Sequence, residues 1–451
     1  MKLFHFSKKK QVKPTYVGTT DEGLLSIPEV TPKKEISLRC SDPVLRKLWN
    51  IALDDIEKSH NTVTEFGTVY SAGGYGKSFH QLVFNRDNAY SGLLSLNLLY
   101  PNEMLEAYHA IRKVRDRLGW TCFHSNGFHL NGIDGVVDDD LPKLEFFKKY
   151  QKASAINKTD DVVWIWAAYD LLKKNPQFGE EEWKWLYETA KQNFVTFYDP
   201  FFDATDGLYF GAPTFIDVGG TGYPEGFAKS KETDSDKTKE KQRNRCVWVK
   251  APSTNSLYFK ALSVMAEVAE QFGLLEEAEA WKKKAEDLRV AIKELLRFSN
   301  GSFTYFRHRD GQLEPRRDTL GCALPVLCGV VDGEDAKNAL SGYPVTAYGT
   351  PLLFPFYDRP DYYHNNSMWP FADTFFLLAY EKAFGVSTVD VNLQILKNAF
   401  RNGHFYEVRD VRTNVIKGSV AQLWTTAAFL NAMMRFENLT GQDGTFAVTM
   451  F

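Results

Sequence analysis

Residues 253–296 read STNSLYFKALSVMAEVAEQFGLLEEAEAWKKKAEDLRVAIKELL, and their spacing decides the fold class. Leu257, Ala261, Val264, Met265 and Val268 fall on one helical face. After Gly273, residues Ala278, Trp281, Ala285, Leu288, Ile292 and Leu295 fall on another. Ser253 reads as the cap of the first helix. Phe272-Gly273-Leu274 is a short link, so the two helices fold back on each other as a hairpin.

The same pattern recurs on both sides. Ser41-Asp42-Pro43 offers a cap followed by proline at the first turn, opening a helix to about His60. Helices are further expected at Asn88–Leu99, Glu103–Leu118, Asp160–Lys174, Glu180–Tyr198, Leu320–Leu327, Trp369–Phe384, Val391–Asn402 and Val420–Leu439. Short links alternate with long ones at 61–83, 119–158, 199–252, 299–317 and 342–365. Long connections gathered at one end of a rigid scaffold are where sites form. The expectation is an all-α fold, an (α/α)6 toroid over residues 41–451, preceded by an arm over 1–40. Pro14, Pro28 and Pro32 make that arm extended or give it short strands. An open solenoid fits the periodicity, but no fixed repeat length accompanies it.

Composition narrows the function. The 451 residues carry a net charge of −3, which invites no nucleic acid. No run approaches the ~20 apolar residues of a membrane span. Lys8, Lys9 and Lys10 have no apolar stretch behind them, so the first ten residues are not a secretory signal. Five scattered cysteines, Cys40, Cys122, Cys246, Cys322 and Cys328, form no CxxC pair. The chain reads as reduced and cytoplasmic, with no structural zinc and no cofactor; a mature secreted form fits the same residues. Aromatics reach 14%, enough to serve both helix packing and stacking on sugar rings. Ala228–Arg245 carries seven basic and four acidic side chains and almost nothing apolar, so it reads as a charged, solvated insertion or a flap. Asp134 and Asp138-Asp139-Asp140 do not match a calcium loop and read as a solvated acidic turn.

Two carboxylates stand out. Asp217 ends Thr214-Phe215-Ile216-Asp217, and Glu407 lies in Tyr406-Glu407-Val408-Arg409, each where a helical pattern has stopped. Glycoside hydrolysis needs such a pair: one protonates the leaving oxygen, and the other activates water or attacks the sugar. Glu225, in Tyr223-Pro224-Glu225, is the rival acid in the same loop. Arg86-Asp87 before a helix can bind neighbouring hydroxyls of one sugar, the guanidinium donating and the carboxylate accepting. Of Asp160-Asp161, one acid caps the next helix and the other, taken as Asp161, faces the pocket with Trp166 beyond it. Tyr223, His364, Asn365, Trp369, Gln422 and Trp424 complete the expected lining.

Arg86-Asp87, Thr-Phe-Ile-Asp217, Tyr363-His-Asn-Asn-Ser-Met-Trp-Pro370 and Gly418-Ser-Val-Ala-Gln-Leu-Trp424 occur in the order found in six-hairpin glycosidases. The chain resembles the glucosidase domain of glycogen debranching enzymes and the mannosylglycerate hydrolase and processing α-glucosidase group, over about residues 41–438. The resemblance implies an inverting mechanism, with Asp217 as acid and Glu407 as base, and removal of a terminal α-linked glucose or mannose from an oligosaccharide or small glycoside. Phe215 and Ile216 replace the usual Trp-Met, Asn366 replaces a glycine, and Tyr223-Pro-Glu225 has no counterpart. A sugar epimerase on the same barrel would use histidines such as His80, His124, His129, His364 and His404. A non-catalytic sugar binder would have lost one acid.

Overall fold

The computed structural model describes residues 27–34, 36, 38, 40–63, 67–75, 82–117, 127–129, 159–216, 222–224, 249–358, 363–413 and 415–439. Twelve helices alternate between two layers among these residues. The outer ones are α1 (Pro43–Ser59), α3 (Pro101–Arg117), α5 (Glu180–Asn193), α7 (Leu275–Leu295), α9 (Gly333–Leu340) and α11 (Val389–Lys397). The inner ones are α2 (Asn85–Ser91, continued through a π-helical turn at Gly92–Leu96 into Asn97–Leu99), α4 (Asp160–Lys174), α6 (Pro252–Gln271), α8 (Thr319–Leu327), α10 (Pro370–Phe384) and α12 (Leu423–Leu439). Each inner helix packs on the next, and α12 packs back on α2, closing the ring. This is the expected (α/α)6 toroid.

Sequence pattern separates the layers. The inner α6 buries Leu257, Ala261, Val264, Met265, Val268 and also Tyr258, Leu262 and Ala266, so it is apolar on nearly every side. The outer α7 buries only the stripe Ala278, Trp281, Ala285, Leu288, Ala291 and Ile292. One hydrophobic cluster runs from Ile27 to Met434. Because every inner helix is followed by an outer one, all six inner helices run the same way and their N-termini meet at one end. Their first turns are polar and buried: Asn85 to Asn88, Asp160, Ser253 to Ser256, Thr319, Asp373 and Thr425.

Several local expectations change. Asp42 caps α1 as read, accepting from the Val44 and Leu45 N–H groups at 2.8 and 3.2 Å. Ser253 does not cap α6: Pro252 takes the first turn and Ala251 the cap position. Helix α9 went unread. Residues 416–422 form a strand, so α12 starts at Leu423. Among the described residues of the arm, 27–40, no strand forms.

Loops at the N-terminal end of the inner ring combine into a five-stranded antiparallel sheet, more than isolated hairpins. Its strands are β1 (Gly73–Tyr75), β2 (Ser367–Met368), β3 (Phe400–Arg401), β4 (His404–Asp410) and β5 (Ile416–Gln422). The order is β2-β4-β5-β1, with β3 also on β4. The charged insertion and the acidic turn lie outside the described residues.

Asp318 caps α8, accepting from the Gly321 N–H at 2.8 Å. Full burial pushes its carboxyl up to about 7, against that hydrogen bond. A carboxyl with a raised folded-state value contributes stability at low pH and loses it as pH rises through about 7. Asp318→Asn keeps the acceptor and removes the charge. Its stability relative to wild type should therefore move in the variant's favour between pH 4 and 8, by on the order of 1–4 kcal/mol, and its melting temperature should move the same way. Parallel curves in calorimetric scans across that range would count against it.

Candidate active site

Glu407 lies on β4, buried at 2% exposure. Opposite it the ladder is irregular: Tyr406 pairs with Val420, but Val408 pairs with Lys417. The extra residue sits on β5, and Gly418 there has φ +88°. This bulge turns the Ser419 N–H onto Glu407 Oε2 at 2.9 Å. The Tyr363 hydroxyl donates to Oε1 at 3.0 Å. Burial pushes the Glu407 carboxyl up to about 7, opposed by hydrogen bonds from the Ser419 backbone, Tyr363 and Gln422. Nothing local in the sequence registers how completely the sheet encloses this carboxyl.

An aromatic wall joins Glu407 to the Thr214–Ile216 segment. The Tyr363 ring lies 5.0 Å from Trp369, and Trp369 lies 5.1 Å from Phe215. Phe215 also meets Phe371 at 5.0 Å, Trp424 at 6.0 Å and His364 at 6.1 Å. Trp424 stacks on Phe371 at 4.1 Å. Phe215 has φ +55°, a left-handed conformation that non-glycine residues rarely adopt.

Hydrogen bonds clamp that segment from three inner helices. Thr214 Oγ1 lies 2.9 Å from Tyr90 Oη on α2 and 2.8 Å from Thr159 Oγ1 before α4. The Thr214 N–H donates to Ser253 Oγ on α6 at 3.0 Å, which is what Ser253 does instead of capping. Tyr223 donates its hydroxyl to the Ile216 carbonyl at 2.7 Å, and Tyr305 donates to the Gly222 carbonyl at 3.0 Å. Tyr223 thus holds the peptide that leads into Asp217. Asp217 itself and Glu225 lie outside the described residues.

The other expected site residues divide. Arg86 and Asp87 are buried in the first turn of α2. Arg86 Nε lies 3.2 Å from Asp160 Oδ1, so Asp160 is the partner of Arg86. Neither acid of the Asp160-Asp161 pair caps α4, whose cap position is Thr159; the Asp161 side chain lies outside the described set. His364 is buried and held neutral, pushed down to about 3 by burial and then by the Arg86 charge. Its ring stacks on Trp369 at 5.6 Å. Asn365 braces its own loop: its side-chain amide donates to the Tyr357 carbonyl at 3.0 Å and accepts from the Tyr357 N–H at 2.7 Å. Gln422 is buried beside Glu407, and its carbonyl accepts from the Leu423 N–H at 2.7 Å. Trp166 lies 5.8 Å from Lys260 between α4 and α6, more than a turn below Asp160.

Tyr363, Asp160, Ser419 and Tyr90 are neighbours of these residues that the sequence reading did not place at the site. Tyr363 stood inside a quoted motif; only its 3.0 Å contact with Glu407, 44 residues away, singles it out. Among the described residues, no group of three His, Cys, Asp or Glu side chains could hold a metal. No described helix is long and apolar enough to cross a membrane. His404 is paired with Asp55 at 2.7 Å, His129 lies in a short strand, and His80 and His124 lie outside the described residues.

Residues 136–425, more than half of the chain, match the mannosylglycerate hydrolase MGH1-like glycoside hydrolase domain. The chain belongs to this glycoside hydrolase family. Among solved structures this MGH1-like chain is similar to the GH63 mannosylglycerate hydrolase of Thermus thermophilus in complex with glucose. The TM-score is 0.61 at 14% identity, over 85% of this chain and 99% of that one. It is also similar to the neutral trehalase Nth1 of Saccharomyces cerevisiae, with TM-score 0.55 at 13% identity over 84% and 78% of the two chains. A GH78 rhamnosidase of Bacillus sp. GL1 gives TM-score 0.55 at 16% identity, over 87% and 35%. These likenesses establish the barrel fold. No curated protein matches the chain.

Replacing Thr214 by valine keeps its shape and leaves the Tyr90 and Thr159 hydroxyls without their shared partner. Denaturant unfolding should show a loss of ~1–3 kcal/mol. Tyr90→Phe should cost less in the Thr214→Val background than alone, because the two act through one contact. Full additivity would dissolve the clamp.

Proposed function

We propose that this MGH1-like glycoside hydrolase removes a terminal α-linked glucose or mannose from an oligosaccharide or small glycoside, with inversion at the anomeric carbon. Asp217 gives its proton to the glycosidic oxygen as the bond from the anomeric carbon breaks. Water adds to that carbon from the opposite face, and Glu407 takes the proton the water loses. The products are the alcohol and a sugar of inverted configuration. The observation that carries the reading is Glu407 itself: a buried carboxylate, hydrogen-bonded on both oxygens and tied through an aromatic wall to the segment that leads into Asp217. A small substrate is supported by the Thermus thermophilus mannosylglycerate hydrolase, which has been seen with glucose and with Tris and D-glycerate. Arg86, Asp87 and Asp161 are assigned to the sugar hydroxyls and Trp369 and Trp424 to the walls.

A base must be ionised to accept a proton. With Glu407 held near 7, kcat/KM should rise with pH through about 7, and then fall as the acid loses its proton. The raised value would equally suit a proton donor, and leaving-group dependence separates the two roles. Asp217→Asn should abolish cleavage of a natural disaccharide yet retain much of its activity on an activated aryl glycoside, which needs little protonation. Glu407→Gln should suppress both. Rescue of Glu407→Gln by the aryl substrate would exchange the assignments. Proton NMR of the first-formed anomer tests inversion, and a product of retained configuration would rule it out.

A further inference from the structure

Gly418 stands closer to Glu407 than any side chain could. A Cβ built on it would lie 2.2 Å from Glu407 Oε2 and 2.7 Å from Glu407 Cβ, well inside contact distance. Its φ of +88° is what opens the bulge, and the next N–H, that of Ser419, donates to the same Oε2 at 2.9 Å. Neither property follows from the other. A residue in this conformation need not touch the carboxylate, as Gly329 shows, with φ +86° and nothing within 4 Å of an added Cβ.

We propose that Gly418 is a positioning residue for the base: it leaves the space the Glu407 carboxylate fills, and it turns the Ser419 N–H onto that carboxylate. The proposal rests on Glu407 acting as the base. With any side chain at 418 the carboxylate must leave its place, and Oε2 then loses its backbone donor. That donor favours the ionised form, so its loss makes Glu407 harder to ionise.

The other ionising groups around Glu407 come from every neighbouring element. Tyr363 approaches from the loop before β2, with His364 against its ring at 4.8 Å. Arg409 follows two residues along β4, the exposed Lys417 adjoins Gly418 on β5, and Tyr75 on β1 pairs with Val420. His364 is pushed down to about 3, and Arg409 is lowered by burial only to about 10. Neither changes charge between pH 5 and 8, and His404, stacked on Tyr75 at 5.2 Å, pairs with Asp55 instead, so the titration is followed on the Glu407 carboxyl itself.

The experiment compares Gly418→Ala with Gly329→Ala, which imposes the same backbone strain away from the site. Glu407 is titrated directly by carbon NMR of carboxyl-labelled glutamate, assigned with Glu407→Gln, and kcat/KM is followed against pH. Gly418→Ala should move both the titration of Glu407 and the acid limb upward by about half a pH unit or more, a fall of roughly threefold or more in kcat/KM at pH 6. Gly329→Ala should move neither. An unmoved titration in Gly418→Ala overturns the proposal. A moved titration with an unmoved limb supports the positioning role and overturns the assignment of Glu407 as base. Should Gly418→Ala fail to fold, the same substitution is made in a Glu407→Gly background. There it should lower the melting temperature no more than Gly329→Ala does, and a larger drop overturns the proposal.

Discussion

Six helices running the same way around one axis bring six sets of unpaired backbone N–H groups to one end of the barrel. The polar side chains at that end divide between these groups and the loops that cover them. Asp318 takes up a donor of α8, Ser253 in the first turn of α6 turns to the Thr214 loop, and Asp373 in the first turn of α10 accepts from Thr350 at 2.6 Å. Loops must descend to cover these groups, and the sheet that carries Glu407 is part of that cover. Helix N-termini favour negative charge by ~0.3–1 kcal/mol each. Taking a carboxylate out of water costs several kcal/mol. Burial therefore wins, and the carboxyls of Asp318, Asp373 and Glu407 all sit above their ordinary range.

Phe215 shows what holds the other half of the site. A left-handed backbone at a residue with a side chain costs roughly 1–2 kcal/mol. Each ring pair is worth ~0.5–1.5 kcal/mol beyond its burial. Four rings surround Phe215, so the wall offsets the strain. The segment leading to Asp217 is therefore set by contacts contributed from α10 and α12 as well as by its own hydrogen bonds.

Much of this was legible in the residues, and the failures have physical causes. The α6–α7 pair could be read because each helix keeps its apolar residues at helical spacing, broadly on the inner helix and as a stripe on the outer one. Helix α9 could not, since Ala336, Ala339 and Leu340 are all it buries. Val420 and Ala421 looked like the start of a helix because apolar residues on a strand edge continue the run of α12; only the pairing with Tyr406 and Tyr75 places them in a sheet. Ser253 looked like a cap because nothing local shows that its hydroxyl serves Thr214. Glu407 was found through its neighbours in sequence. Asp160 was missed as the Arg86 partner because adjacent residues at a helix start point about 100° apart, and periodicity does not choose between them.

The ring also has an order in time. Helix α12 closes against α2, and Asn431 reaches across to donate to the Leu94 carbonyl at 2.6 Å, 337 residues earlier in the chain. Glu407, Gln422 and Trp424 all belong to this late stretch. During synthesis the apolar flank of α2 therefore stands open while almost the whole barrel is made. The nascent chain spends that time as an incomplete ring, with the inner wall that α12 will cover still facing water.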